Sequence, residues 1–315
     1  MKVLITGGAG FIGSNLTRYL LDQPDVASVR IIDDLSTGSL RNLDGLNADF
    51  TEGSILDYTL LRSIASGVDS IVHLGAIPSV PRSIANPRAS HEANTTGTLN
   101  VLEAARDVGV EHVVVASSSS VYGSNPKLPK SEYDWTRPMS PYAVSKQATE
   151  GYALAYQFSY GLKTLAFRFF NVYGPGQAAG HAYAAVIPKF LDAALNGRPL
   201  EIHGDGTQSR DFTYVDTVCS VIHQAVTGNV HSLDPVNLAY GTSTTLLDLV
   251  GLVEEQLGRP VEREFSAPRV GDVMASQADN SRVRELFPAV RPVSLEAGLE
   301  STIRWFQNEQ TRGIK

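Results

Sequence analysis

Cysteine is the residue type that this sequence has least of. Its single cysteine, Cys219, excludes an internal disulfide and a cluster of thiolate metal ligands. Such scarcity is typical of a reducing compartment, so we expect a cytoplasmic protein that has no metal site.

Long hydrophobic runs and an excess of positive charge are also lacking. No window holds about 18 uncharged apolar residues, so we expect no membrane span. The 26 lysines and arginines are outnumbered by 33 aspartates and glutamates, which gives a net charge of −7. This charge disfavours nucleic acid and anionic lipid as partners, and an anionic substrate would need a local basic site.

Strands and helices alternate through the first half of the chain. Short apolar runs bounded by turn residues predict strands, and longer runs with helical periodicity predict helices. Strands are expected at Lys2–Thr6, Ser28–Asp33, Ser70–Leu74, His112–Ser117 and Lys163–Phe169, and helices at Ile12–Leu21, Thr59–Ala65, Asn94–Val108 and Tyr142–Tyr160. The alternation predicts an α/β fold, a Rossmann-type doubly wound parallel sheet with helices on both faces.

The pattern changes after residue 172, where loops separate isolated helices. Helices are expected at Ile187–Leu195, Thr245–Gln256 and Ser294–Gln307. We therefore predict a sheet domain over 1–172 with a returning segment near 212–240. Residues 173–211 and 241–315 would form a smaller C-terminal lobe that binds the substrate.

A glycine-rich turn joins the first predicted strand to the first predicted helix. Gly7, Gly10 and Gly13 have the spacing G-x-x-G-x-x-G, a variant of the dinucleotide fingerprint. Such glycines permit a tight turn and a close approach of the pyrophosphate, which the amino terminus of the helix attracts. A flexible turn is the simpler reading of glycines alone, but strand, glycines and helix occur here in the required order.

An acidic residue ends the second predicted strand. Asp33 lies about 20 residues after Gly13, where a carboxylate accepts hydrogen bonds from the adenosine ribose. A carboxylate there would repel a 2′-phosphate, so the sequence favours NAD over NADP as the cofactor.

Tyr142 and Lys146 form a Y-x-x-x-K pair on one face of a predicted helix. A nearby ammonium favours the phenolate, so we expect Lys146 to lower the pKa of Tyr142. The tyrosine could then take a proton from a substrate hydroxyl while a hydride leaves the same carbon. The pair is common by chance, but the segment Ser117–Tyr122 follows a predicted strand and places polar side chains at the edge where ligands collect.

Nine motifs, taken together, resemble the extended short-chain dehydrogenase/reductase family, and in particular its NAD-dependent nucleotide-sugar 4-epimerases. They occur in the family's order across nearly the whole chain, and AYAAVIPKF is most similar to bacterial UDP-N-acetylglucosamine 4-epimerases. The motifs are TGGAGFIGSNL, IIDDLSTG, HLGAIPSVPRS, ASSSSVYG, SPYAVSK, RFFNVYGPGQ, AYAAVIPKF, GDGTQSRDFTYV and PRVGDV.

The resemblance implies a role for each matching residue. Tyr142 would be the catalytic base, Lys146 would hold the nicotinamide ribose, and Ser118 would assist. The residues implied to contact the cofactor are Gly7, Gly10, Phe11, Ile12, Gly13, Asp33, Asp34, Leu74, Gly75, Ala76, Asn94 and Lys146. Those implied to contact the substrate are Ser118, Tyr142, Asn171, Arg210, Arg269, Asp272 and Ser276.

Two serines bear on the type of reaction. Related dehydratases carry Asp–Glu where this chain has Ser119 and Ser120, so the extra acid and base for loss of water are absent. Oxidation and re-reduction at C4 is the simplest chemistry that the residues allow.

Ser276 bears on the sugar. The resemblance implies that a small residue there leaves room for an N-acetyl group, so we predict UDP-GlcNAc/UDP-GalNAc interconversion with some UDP-Glc/UDP-Gal activity. A UDP-glucuronate 4-epimerase shares ASSSSVYG and is the main alternative. A non-catalytic NAD-binding regulator and an oxidoreductase that releases NADH are the others. The resemblance also implies a homodimer packed through Asn94–Val108 and Tyr142–Tyr160.

Overall fold

A computed structural model describes residues 1–180, 184–240, 243–268, 274–311 and 313. Its strands are Lys2–Thr6 (β1), Ser28–Asp33 (β2), Asp49–Glu52 (β3), Ser70–His73 (β4), His112–Ser118 (β5), Lys163–Phe169 (β6), Val172–Tyr173 (β7), Leu200–His203 (β8), Ser209–Arg210 (β9), Thr213–Tyr214 (β10), Val236–Leu238 (β11), Thr244–Thr245 (β12) and Arg263–Ser266 (β13). Its α-helices are Phe11–Leu21 (α1), Tyr58–Ala65 (α2), Val80–Ala85 (α3), Pro87–His91 (α4), Gly97–Val108 (α5), Pro141–Tyr160 (α6), Val186–Leu195 (α7), Val215–Thr227 (α8), Leu246–Leu257 (α9), Ser281–Leu286 (α10) and Leu295–Thr311 (α11).

Seven strands form one parallel sheet in the order β11-β6-β5-β4-β1-β2-β3. The chain moves outward from β1 to β3 and then crosses to β4 on the other side of β1. This reversal opens a crevice at the carboxyl ends of β1 and β4, where ligands of such sheets bind. The predicted fold class is confirmed.

Apolar side chains cover both faces of the sheet, as a doubly wound fold requires. On one face Leu4 and Ile71 pack in a core with residues of α2 and α5. On the other face Val3 belongs to a core that includes Val218 of α8 and Leu249 of α9. The apolar core therefore continues from the sheet into the smaller lobe, and the domain limits given above stay a prediction.

Helix α6 has clear signals at both ends. Ser140 caps its first turn by accepting a hydrogen bond from the amide of Ala143, and Pro141 occupies a first-turn position, where proline has no helical hydrogen bond to lose. Gly161 ends the helix with a φ of 72°, a left-handed conformation that glycine adopts without strain. The described helix begins one residue before the predicted Tyr142.

Several elements differ from the sequence-based expectation. The predicted helix Asn94–Val108 begins instead with a π-helical turn at Glu92–Thr96, and α5 follows it. Strand β3 was not predicted, and neither were the short helices α3 and α4. Strand β3 is only partly buried at the edge of the sheet, so its sequence DFTE lacks a strong apolar signal.

Three two-stranded pairings lie outside the seven-stranded sheet. β8 pairs with β13 and β7 with β10 in parallel, whereas β9 pairs with β12 in antiparallel fashion. Within the described ranges, no helix has both the length and the apolar character that spanning a bilayer requires.

Candidate active site

The glycines after β1 leave no room for side chains. A Cβ atom on Gly13 would lie 2.3 Å from the carbonyl oxygen of Gly7, and one on Gly7 would lie 2.7 Å from the amide nitrogen of Gly75. Gly7 also has a φ of 72°. The turn therefore brings backbone close to backbone at the start of α1, where the amino terminus of a helix attracts a pyrophosphate.

Phe11 and Ile12 form the first residues of α1 and are partly buried. The side chain of Asn15, one turn later, donates to the carbonyl oxygens of Phe11 at 2.8 Å and Pro175 at 2.9 Å. These bonds attach the helix start to the loop that leads into the smaller lobe.

Asp33 lies at the carboxyl end of β2, beside the glycine turn. Its carboxylate accepts hydrogen bonds from the amides of Ala9 at 3.0 Å and Leu35 at 2.8 Å. Burial raises the pKa of Asp33, and the two amide bonds act in the opposite direction. Asp34 is exposed and accepts from the amide of Ser36 at 3.0 Å. A carboxylate fixed beside the first turn of α1 fits the adenosine end of a dinucleotide.

The segment after β4 lines the same crevice. The amides of Leu74 and Gly75 donate to the carbonyl oxygen and the hydroxyl of Thr6, at 3.1 Å in each case. Ala76 follows them and is partly buried. Asn94 accepts a 2.7 Å bond from the amide of Ile77, so it holds this segment from the π-helical turn.

Tyr142, Lys146 and Ser118 meet at the carboxyl end of β5. The hydroxyl of Ser118 lies beside the phenol of Tyr142 and acts to lower its pKa. Lys146 lies one turn further along α6, where its ammonium donates to the carbonyl oxygen of Ala116 at 2.8 Å. Strand β5 and helix α6 thus bring together the three residues that were predicted to carry the chemistry.

The prediction that Lys146 lowers the pKa of Tyr142 was wrong for the protein alone. Burial raises the pKa of Tyr142, and its hydrogen bond with Ser118 only partly offsets this effect. Burial also lowers the pKa of Lys146 to about 8, because the ammonium has left water without gaining a carboxylate. Burial therefore disfavours the charged form of each group, but Lys146 stays protonated below pH 8.

The residues expected to hold the substrate lie where the lobe joins the sheet domain. Asn171 follows β6 and donates to the carbonyl oxygen of Asp211 at 3.2 Å. Arg210 ends β9 and donates to the carbonyl oxygen of Ser209 at 2.8 Å. The amide of Ser276 donates to that same carbonyl at 3.1 Å.

Arg269 and Asp272 lie outside the described residues. The chain that follows them is held from two sides. Ser209 bonds to Met274 and Ser276 on the lobe side, and Lys130 bonds to Gln277 and Asp279 on the other. Segment 274–279 therefore connects β9 to the sheet domain, and it carries Ser276 next to Arg210.

A buried ion pair close to Lys146 on α6 was not predicted. Two nitrogens of Arg168 donate to the two carboxylate oxygens of Glu150, each at 2.9 Å. The hydroxyl of Ser117 also donates to Glu150, at 2.5 Å. An arginine inside the apolar strand β6, and a glutamate one turn after Lys146, were the signals that could have indicated this pair.

Comparisons with known proteins agree with this geometry. The model of the NAD dependent epimerase/dehydratase family matches residues 3–239. A UDP-glucose 4-epimerase of Mycolicibacterium smegmatis is 38% identical over 98% of this chain and 99% of its own. The UDP-N-acetylglucosamine 4-epimerase from Methanobrevibacter ruminantium, in complex with UDP-N-acetylmuramic acid, is 36% identical with a TM-score of 0.92 and 98% of each chain covered. The UDP-glucuronic acid 4-epimerase from Bacillus cereus, in complex with UDP-glucuronic acid and NAD, is 30% identical with a TM-score of 0.88, covering 98% of this chain and 99% of that one.

The three relatives share a nucleotide-sugar substrate class and differ in the sugar. Their similarity extends over almost the full length of both partners in every case. The predicted family and the predicted NAD cofactor are confirmed. The chain belongs to the NAD-dependent epimerase/dehydratase family.

Proposed function

We propose that this protein interconverts UDP-GlcNAc and UDP-GalNAc by NAD-dependent epimerisation at C4, with UDP-Glc and UDP-Gal as a second substrate pair. The observation that carries the epimerase activity is that Tyr142, Ser118 and Lys146 meet at the carboxyl end of β5. The same activity on UDP-sugars is named for relatives that cover almost the whole chain.

Tyr142 would move the proton and Ser118 would orient the reacting hydroxyl. A sugar whose C4 hydroxyl lies between Tyr142 and Ser118 would donate to the tyrosine and accept from the serine. Bound NAD supplies the oxidant and then the reductant for C4. The tyrosine takes the hydroxyl proton as the C4 ketone forms, and it returns that proton after the sugar has presented its opposite face.

Lys146 would provide positive charge to the tyrosine and donate to the nicotinamide ribose. Its present acceptor is a backbone carbonyl, so a ribose hydroxyl can join the hydrogen bonds of the ammonium without the loss of an ion pair. A charged Lys146 near Tyr142 favours the phenolate, which opposes the effect of burial on the pKa of the tyrosine.

Arg210, Asn171 and Arg269 would hold the diphosphate while the keto sugar turns about its link to it. A guanidinium binds phosphate oxygens through paired hydrogen bonds, and an acidic protein needs such local positive charge. Asp272 would accept from a ribose hydroxyl of the uridine. Arg210 ends β9 next to Ser209, whose backbone bonds to segment 274–279, so the diphosphate would lie beside that segment.

The preference for an N-acetyl sugar rests on Ser276. Its backbone is attached to Ser209, the neighbour of Arg210, so the small side chain lies beside the proposed diphosphate site. A short side chain leaves volume for an acetamido group, which a bulkier residue would fill.

Ser119 and Ser120 argue against loss of water or carbon dioxide from the sugar. They form the 3₁₀ turn Ser119–Tyr122 directly after Ser118, and neither carries a carboxyl group. The hydroxyl of Ser120 is buried and has no hydrogen-bond partner among the described residues. The turn therefore offers hydroxyl groups to the site and no second acid or base.

A homodimer is also proposed, formed through α5 and α6. The side chains of Val144, Leu154 and Phe158 on α6 are exposed, and that of Phe158 is 83% exposed. Phe158→Glu should convert a dimer into a monomer in sedimentation velocity, with Phe265→Glu, exposed on β13, as the control. The cytoplasmic location stays a prediction.

A ¹H NMR time course of the purified protein with NAD tests the activity. UDP-GlcNAc, UDP-glucose and UDP-glucuronate would be supplied in separate reactions, and absorbance at 340 nm would be followed in parallel. Growth of a galacto-configured anomeric signal to a steady ratio, fastest with UDP-GlcNAc and without net NADH, is the expected result. Activity confined to UDP-glucuronate would support the alternative epimerase, steady NADH release an oxidoreductase, and no turnover with bound NAD a regulator.

A further inference from the structure

Buried hydrogen bonds connect the glycine turn to His73, the last residue of β4. The amide of Gly75 donates to the hydroxyl of Thr6 at 3.1 Å, and that hydroxyl lies 2.7 Å from Nδ1 of His73. Nε2 of His73 lies 3.0 Å from the hydroxyl of Thr98. Thr6, His73 and Thr98 are all buried, so no solvent competes for these bonds.

The connection continues from Thr98 to the catalytic helix. Thr98 donates to the carbonyl oxygen of Asn94 at 2.6 Å, and the side-chain amide of Asn94 donates to Ser145 at 2.9 Å. Ser145 donates to the carbonyl oxygen of Tyr142 at 2.7 Å. Each residue in this series is fixed by the next, and the last bond ends on the backbone of the proposed catalytic base.

The hydrogen count fixes the tautomer of His73. Thr98 uses its only hydrogen on Asn94, so it must accept from Nε2 of His73, which therefore carries a proton. Thr6 accepts from Gly75, so its own hydrogen points to Nδ1, which must be unprotonated. The opposite tautomer would leave the hydrogen of Thr6 without an acceptor and the short bond to Asn94 without a donor.

The ring is neutral as well as fixed. Burial lowers the pKa of His73 to about 3, and the positive charge of Lys146 acts in the same direction. The site therefore contains a histidine that does not titrate in the working range, unlike a general base.

We propose that His73, as the neutral Nε2–H tautomer, is a positioning residue. It couples Thr6, where the glycine turn begins, to α6, the helix that carries Tyr142 and Lys146. Nδ1 bonds to Thr6, which also holds Gly75 after β4. Nε2 bonds to Thr98, and the bonds then continue through Asn94 to Ser145 of α6. The kinetic arm of the test rests on the proposed epimerase function, whereas the spectroscopic arm does not.

Two amide substitutions separate the two sides of the ring. The amide of asparagine occupies the place of Nδ1, so His73→Asn keeps the bond to Thr6 and loses the bond to Thr98. The longer glutamine places its amide near Nε2, so His73→Gln keeps Thr98 and loses Thr6. The kcat and the NAD concentration for half-maximal rate are measured for both variants.

We expect His73→Asn to lower kcat about tenfold, because a shift of well under 1 Å in helix α6 already slows the reaction. The NAD concentration for half-maximal rate should stay within about twofold of the wild-type value. His73→Gln should show the reverse, an NAD requirement raised about tenfold with kcat within about threefold of wild type. Thr98→Val should reproduce the loss of kcat, and adding it to His73→Asn should cause little further loss.

His112→Asn is the matched control. His112 is equally buried and bonds to a hydroxyl, that of Ser70, but it lies at the start of β5, far along the strand from the site. It should change neither kcat nor the NAD requirement. Equal effects of His73→Asn and His73→Gln on both quantities, or the same loss in the control, would overturn the coupling.

Nitrogen-15 histidine spectra of the wild-type protein decide the tautomer without any substrate. His73 should show a protonated Nε2 and an unprotonated Nδ1 from pH 5 to pH 9, assigned by its loss in His73→Gln. A protonated Nδ1, or titration near the ordinary histidine pKa of about 6.5, would refute the proposal. If the wild type turned over no sugar, the proposed function would fail while this spectrum still decided the role of His73.

Discussion

His73 ends β4 at the carboxyl edge of the sheet, whereas His112 begins β5 at the amino edge. Both rings are buried, and both bond through Nδ1 to a hydroxyl, that of Thr6 at 2.7 Å and that of Ser70 at 2.8 Å. The Nε2 side of His73 leads through Thr98 and Asn94 to Ser145 of α6. The Nε2 side of His112 ends at the carbonyl oxygen of Val230, 2.9 Å away, in a loop after α8.

The carboxyl and amino edges of the sheet, where the strands end and begin, both contain a buried histidine–hydroxyl bond. The two bonds differ in what they hold in place. In a parallel sheet all carboxyl ends lie at one edge, where the helix amino termini also begin, so ligand and catalytic groups gather there. Polar side chains at that edge hold each other in position for chemistry. At the amino edge the same types of side chain satisfy buried polar atoms and attach loops, so they contribute to stability alone.

Tyr142→Phe should produce the largest change at the carboxyl edge. It removes the hydroxyl that would move the proton and keeps the ring, so kcat should fall about 10³-fold with the unfolding temperature nearly unchanged. Rates would come from the NMR assay. Tyr156→Phe, on the same helix but bonded to Glu103, is the control and should keep its kcat. A Tyr142→Phe protein that retained its biological role would favour the regulator.

Ser276→Tyr tests whether segment 274–279, which joins the lobe to the sheet domain, contributes to the choice of sugar. A large ring in place of the small side chain should lower kcat/KM for UDP-GlcNAc relative to UDP-glucose by about 10²-fold. Competition assays with both sugars measure this ratio directly, and Ser276→Ala should leave it within a few-fold of wild type. An equal loss on both substrates would contradict the proposed pocket.

Lys146→Met should show that a residue proposed to act at the carboxyl edge lowers the stability of the folded protein. The unfolded chain keeps this lysine protonated up to its ordinary pKa of about 10.5, whereas folding lowers the pKa to about 8. Below pH 8 both states are protonated and the folded state bears the full cost of a buried charge. The variant should therefore lose activity and, without cofactor, gain on the order of 2 kcal/mol in free energy of unfolding at pH 7.

The same pKa shift predicts how the gain depends on pH. Between pH 8 and pH 10.5 the unfolded wild-type chain holds more protons than the folded one, so this group makes the free energy of unfolding of the wild type rise with pH. The advantage of Lys146→Met should shrink across that window in urea titrations. A gain that stayed constant to pH 10 would mean that burial of the charge is not its source.

Ser70→Ala should produce the smallest change, at the amino edge. It removes the hydroxyl bonded to His112 and should lower the free energy of unfolding by about 1 kcal/mol while kcat stays unchanged. Urea unfolding and the NMR assay measure the two quantities. If Ser70→Ala lowered kcat as much as Thr98→Val does, the bonds at the amino edge would also affect activity, and the comparison would be wrong.

Much of the fold could be predicted from local patterns. Strands such as Lys2–Thr6 and Lys163–Phe169 are mainly apolar segments between turns, and their predicted limits match the structure. The edge strand β3 and the π-helical turn at Glu92–Thr96 could not be predicted, because an edge strand needs little apolar character and a π-turn follows from packing. The division into two domains remains a prediction.

Some residues of the candidate site could likewise be predicted from the sequence, and others could not. Gly7 and Gly13 lie close together in the chain, and Tyr142 and Lys146 are one helical turn apart, so spacing alone indicated them. His73 gave no such signal, because its partners Thr6 and Thr98 lie 67 and 25 residues away. The buried pair of Arg168 and Glu150 is likewise 18 residues apart and meets only when β6 lies against α6.

By itself the sequence determined the turn that approaches a pyrophosphate, the helix face that carries the tyrosine and lysine, and the family, because each depends on residues that are neighbours in the chain or in a motif. Only the tertiary structure decided which of these groups are charged and which tautomer His73 adopts. Those properties depend on burial and on hydrogen bonds between strands and helices far apart in the chain, which exist only once the sheet has assembled.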